Sequence, residues 1–208
     1  MPRTRSKSPS TLAVLLFGLS QMAAQNSFPQ PDPSSQFDST GQATIDGRSV
    51  SYLVRHLPPS SFSQLPLPIL DKLTSRGCLV PQTYAAHQPE NVVHASLERP
   101  GSSDWAVLCS VSGTVSLLVF LSSGNGDPVA LATAQETARL QSHGGSDVFG
   151  FNWAIDAATP EQVHQAQISM RNLPPRPDHD VLADSTVEHA TIYHYFSEKG
   201  WIVISTQD

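Results

Sequence analysis

Charge and sulfur are both scarce in this chain: charged residues make up 14% of its 208 positions, and it has two cysteines. Cys78 and Cys109 stand in RGCLVPQ and AVLCSVS, with neither a Cys-x-x-Cys spacing nor a local signature of a reactive thiol. That sets aside redox-active and catalytic-thiol readings. Basic residues are few as well, 12 Lys and Arg against 18 Asp and Glu, and they form no cluster. A surface of that sign repels phosphate backbones and anionic headgroups, so neither nucleic acid nor a membrane surface is an expected partner. GxSxG, HExxH, P-loop and EF-hand patterns are absent, and GNGDPV at 124–129 shares only a Gly-x-Gly with a dinucleotide fingerprint.

What is present begins with a targeting pattern. Arg3, Arg5 and Lys7 precede the apolar run TLAVLLFGL (11–19), and small residues follow at Ala23 and Ala24. This order predicts a secretory signal peptide over 1–24, since the apolar run is shorter than the roughly 20 residues that span a bilayer. Cleavage there removes three basic residues and leaves nine Lys and Arg against 18 Asp and Glu, a formal charge of −9. The expected location is therefore secreted or periplasmic, with no membrane span after cleavage. Exported proteins fold where thiols are oxidised, so the two cysteines are expected to form one disulfide.

Residues 25–41, rich in Pro, Ser and Gln, read as a disordered linker, and 42–208 as a single domain. Asp46-Gly47 predicts a hairpin turn, and Leu65, Ile69, Leu70 and Leu73 predict a helix over 66–76 capped by Gly77. The stretch DWAVLCSVSGTVSLLVF (104–120) reads as two strands joined at Ser112-Gly113. A two-residue loop pairs Trp105 with Phe120, Val107 with Leu118 and Cys109 with Ser116, leaving both faces apolar. Such a ribbon belongs at the centre of a sheet covered on both sides, with Cys109 as an anchor. TPEQVHQAQISM predicts a second short helix with Thr159 as N-cap, and HATIYHYF and WIVIS a terminal hairpin. NLPPRPDHDVLADST (172–186) reads as a proline-rich acidic connection. The fold class expected is α+β: a mainly antiparallel sheet of five to seven strands with one helix packed on it, and a second short helix.

The eight histidines are the remaining source of chemistry. His179, with Asp178, Asp180 and Asp184 nearby, is the densest group of acids and imidazole, and His179, Asp178 and Asp180 are its metal-ligating candidates. Sequence neighbours on a loop rarely converge on an ion, so no metal or other cofactor is expected. His189 and His194 fall on opposite faces of a strand, which predicts that His194 is a packed, hydrogen-bonded core residue. Ser146 in GGSD is the one serine on a tight-turn pattern. Tyr193 and Tyr195 are candidates for the rim of a binding groove.

Taken in order, RGCLVPQ (76–82), NVV (91–93), DWAVLCS (104–110) and HYFSEKGW (194–201) resemble an uncharacterised group of exported bacterial proteins over most of residues 50–208. The resemblance implies a bacterial, exported, single-domain chain and carries no activity with it. One departure is His94-Ala95, where the group's pattern implies a glycine and a tight bend. The function expected is a non-catalytic binding module for a protein or cell-envelope component. The alternative is a small secreted hydrolase built on His179 and its acids or on Ser146.

Overall fold

The computed structural model describes residues 36–124, 126–168, 170, 174–198 and 200–205. The segment read as a signal peptide lies outside the described residues. The described chain opens with β1 (Ser39–Ile45), β2 (Arg48–Leu57), α1 (Leu67–Ser75) and β3 (Val80–Gln82). A meander follows: β4 (Val92–Ala95), β5 (Asp104–Val111), β6 (Thr114–Phe120) and β7 (Val129–Gln135). Then come β8 (Leu140–Gln141), β9 (Val148–Phe151), β10 (Trp153–Ala158), α2 (Pro160–Gln167), β11 (Val181–Thr186), β12 (Thr191–Ser197) and β13 (Gly200–Ser205).

The class is α+β, but the strands make three sheets among the described residues and not one. Their orders are β1-β2-β9-β8 with β3 also on β2, β4-β5-β6-β7, and β10-β11-β12-β13. All pairings are antiparallel except that of β2 with β9. β1 begins inside the stretch read as linker. β3 and β8, of three and two residues, are too short to show a period. β11 crosses the segment read as a connection, because its Asp184 sits 4% exposed in the interior with partners of its own.

The 104–120 ribbon holds the centre in the register expected from its two-residue turn, Trp105 opposite Phe120 and Cys109 opposite Ser116. Ser112 and Gly113 have φ of 51° and 79°, the left-handed pair that lets a two-residue turn match the strand twist. One face packs Trp105, Val107, Cys109, Leu118 and Phe120 against Phe62, Leu65 and Leu73. The other packs Ala106, Leu108, Leu117 and Val119 against Val54, Phe151, Trp153 and Leu182. Both sides of the ribbon are therefore covered, by the α1 region on one and on the other by later segments together with β1 and β2, which precede it.

α1 ends in a Schellman motif: Gly77, at φ 70°, donates to the Thr74 carbonyl, and Cys78 donates to that of Leu73. The chain leaves the helix aimed at β5, and Cys78 is bonded to Cys109 with their Cα atoms 5.2 Å apart. At the start of β4 the special residue is Asn91, not a glycine after NVV. It has φ 69°, and its side chain donates to the carbonyls of Pro81 (2.8 Å) and Trp153 (3.2 Å) while accepting from the Ile155 amide (3.0 Å). Asparagine tolerates this backbone conformation, and β4 then runs straight through His94-Ala95.

At the other end of the ribbon Asp104 is fully buried. Its carboxylate accepts from the Glu98 amide (2.8 Å), the Ser122 amide (2.7 Å) and the Ser102 hydroxyl, fixing the 98–103 loop. Burial alone pushes its carboxyl up, but those donors outweigh burial and hold it below the usual range. A depressed folded-state pKa adds stability above the unfolded value that is lost as pH falls through the folded one. Asp104→Asn is expected to cost about 1–3 kcal/mol at neutral pH and to show a shallower decline on acidification below about pH 4. Urea midpoints across that range check it, and parallel acid limbs for the two proteins would contradict it.

Candidate functional site

Three segments converge on a groove of about 490 Å³. The first is the Glu98–Pro100 corner between β4 and β5, held by Asp104. The second is the run from Pro175 to His179 that leads into β11. It is tied down at Pro175, whose carbonyl accepts from the Tyr195 hydroxyl (2.5 Å) and from Gln167 (3.3 Å). The third is the end of β12, from Tyr195 to Glu198.

His179 Nδ1 lies 2.7 Å from Asp178 Oδ1. The His179 hydrogen bond keeps the Asp178 carboxyl below its usual range, so the carboxylate accepts and Nδ1–H donates. His179 is 8% exposed, and its second nitrogen, Nε2, is buried without a hydrogen-bond partner among the described residues. In the neutral imidazole that nitrogen is an acceptor. Asp180 does not join them. Its Oδ2 accepts from the Ser96 amide at 3.0 Å and stitches the start of β11 to the end of β4. Among the described residues no group of three or more His, Cys, Asp or Glu side chains is placed to hold a metal ion.

Two further ion pairs rim the groove. Arg99 donates to Glu98 at 3.2 Å, and Arg176 donates to Glu161 on α2 at 2.7 Å, with both guanidiniums more than half exposed. Of the tyrosines, Tyr195 reaches the groove but is 2% exposed and spends its hydroxyl on Pro175. Tyr193 packs beside Tyr195, Val163 and Ile204 and does not line the groove. The half-buried Phe196, on the opposite face of β12, does line it, with Trp201 in an edge-on contact at 5.4 Å.

The remaining candidates lie apart from the groove. His194 is buried and lies 3.2 Å from Asp184, which also accepts from Trp153 Nε1 at 2.5 Å. His189 lies in the turn before β12, not on the strand. Ser146 shares a 310 Å³ pocket with His143, but its hydroxyl accepts from the Val148 amide and no base is bonded to it.

Sequence reasoning passed over a buried network. His56, on β2, donates from Nε2 to Glu136 at 2.8 Å, and Ser110 on β5 donates to the same carboxylate oxygen. His56 is legible afterwards as the residue two beyond Val54 on an inward-facing alternation. Glu136, in the 3-10 turn after β7, has no local signal. The serine here is bonded to the acid and not to the imidazole, which is not a nucleophile–base arrangement.

No family model, curated protein or solved structure matches the chain. Among the described residues no helix is long and apolar enough to cross a membrane.

Proposed function

We propose that this chain is an exported, non-catalytic binding module that recognises a protein or cell-envelope component through the 98–100/175–179/195–198 groove. The observation that carries the reading is the open concavity itself, where three separate segments bring paired polar side chains to one rim: Arg99 beside Glu98, Arg176 beside Glu161 and His179 beside Asp178. A concave surface with a few convergent polar groups is the usual form of a recognition site. The signal-peptide pattern, the disulfide and the acidic composition agree with a partner met outside the cytoplasm. The resemblance to exported bacterial proteins points the same way.

The test compares immobilised wild type with Arg99→Ala/Arg176→Ala, each challenged with envelope and secreted fractions of the producing cell at low and high salt. Both arginines are solvent-exposed, so the double variant is expected to melt with the wild type. Wild type is expected to retain a discrete component in both salts, and the variant to hold it about tenfold more weakly. Retention of nothing, or equal retention by both proteins, counts against this assignment.

A further inference from the structure

The groove's chemistry narrows the class of ligand, an inference that rests on the binding-module reading above. Its formal charge is close to balanced: Arg99 and Arg176 stand against Glu98, Asp178 and Glu198, two positive groups and three negative beside the His179 ring. Such a rim selects neither a polyanion nor a polycation. It does set donors beside acceptors, the Arg99 guanidinium next to the Glu98 carboxylate and the His179 ring next to the Asp178 carboxylate. A hydroxyl group is both donor and acceptor, so adjacent hydroxyls match such paired side chains.

Two more observations separate a glycan from a peptide. Pro100, Pro175 and Pro177 all line the groove, and none has a backbone N–H to offer a peptide carbonyl. The Pro175 carbonyl is already occupied by Tyr195 and Gln167, so the walls present little free main chain for an added strand. Second, the Asp178 carboxylate, held by His179 Nδ1–H and itself largely exposed, offers the groove an acceptor for which a ligand O–H is a natural complement. Phe196 adds an aromatic surface on which the apolar face of a sugar ring can lie.

We infer that the groove binds a neutral, polyhydroxylated ligand, a glycan chain whose hydroxyls sit between the Arg99–Glu98 and His179–Asp178 pairs.

Affinity electrophoresis of the full secreted chain through gels containing neutral glucan, galactomannan or xylan tests this. At least one of these glycans is expected to retain the wild type. Arg99→Ala/Arg176→Ala, with a melting temperature near that of the wild type, and separately Phe196→Leu, which keeps an apolar contact with Trp201 but removes the ring, are expected to weaken the retention at least tenfold. Retention by none of the three, or retention that neither variant weakens, overturns the glycan assignment. If the glycans fail while a protein ligand is captured in an Arg99/Arg176-dependent way, the glycan falls and the binding module stands. If the glycans fail and no ligand of any kind is captured, both readings fall together.

Discussion

A chain with Cys78 and Cys109 both replaced by alanine is expected to lose roughly 3 to 4 kcal/mol of stability. The bridge joins residues 31 apart, and a crosslink of that span removes loop freedom chiefly from the unfolded chain. It also pins the end of α1, through the Schellman turn at Gly77, to the central strand β5. Leu73, Trp105, Val107 and Phe120 pack around this junction, so its loosening exposes the apolar cluster between helix and sheet. For a domain of ordinary stability, about 5–15 kcal/mol, the loss is a large fraction of the total. Urea denaturation of the oxidised wild type, the reduced wild type and the double variant measures it. The reduced chain and the variant are expected to unfold at similar, lower midpoints. Midpoints within about 0.5 kcal/mol of the oxidised protein would mean that the packing of α1, and not the crosslink, holds this face of the sheet.

The parts of this fold that were readable in advance are those governed by short-range rules. The 104–120 ribbon announced itself through two apolar faces and a Ser-Gly pair, and its register followed from the two-residue turn. α1 and α2 were marked by apolar spacing, Gly77 and the Thr159 N-cap, all of which act within a few residues. What escaped was set by contacts far apart in sequence. β11 reads as a polar connection because nothing in VLADST says that Asp184 will meet Trp153 and His194. The parallel contact of β2 with β9 joins segments nearly a hundred residues apart, and a single sheet was expected where three form. The candidate site was half legible. Asp178 and His179 stood out as neighbours, whereas Arg99, Arg176 and Phe196 reach the same groove only through the folding of three separate segments. Asp180 looked equivalent to Asp178 in the sequence, yet a single amide, that of Ser96, claims it for structure.

Glu136 shows what such a long-range contact is worth. It is 5% exposed, and its amide donates to the Gly113 carbonyl at 2.9 Å, fastening the turn after β7 to the end of the central ribbon. Burial raises the cost of its charge, but the hydrogen bonds from His56 and Ser110 and the attraction of His56 outweigh it and hold the carboxyl below its usual range. Removing that acceptor by Glu136→Ala strands the Ser110 hydroxyl and leaves His56, whose Nδ1 already lacks a partner, with neither nitrogen bonded. Breaking a buried pair from one side costs about 3–5 kcal/mol, much of it the desolvation of what remains. Replacing both ends by apolar groups of similar volume, His56→Leu with Glu136→Met, leaves fewer polar atoms stranded and is expected to be the milder change. A double-mutant cycle on urea unfolding, with His56→Leu and Glu136→Met as the two singles, therefore returns a coupling of the sign that favours the double variant over the sum of the singles. The pH dependence follows from the depressed carboxyl. Its contribution is present above the ordinary Glu range, about pH 4, and disappears as pH falls through the folded-state value. Glu136→Ala should accordingly be weaker than wild type at neutral pH and converge on it in acid. A cost below about 1 kcal/mol for the alanine variant, or a gap that persists unchanged into acid, would show that the imidazole and the serine find other partners and that the carboxylate is not what joins β2 to β5.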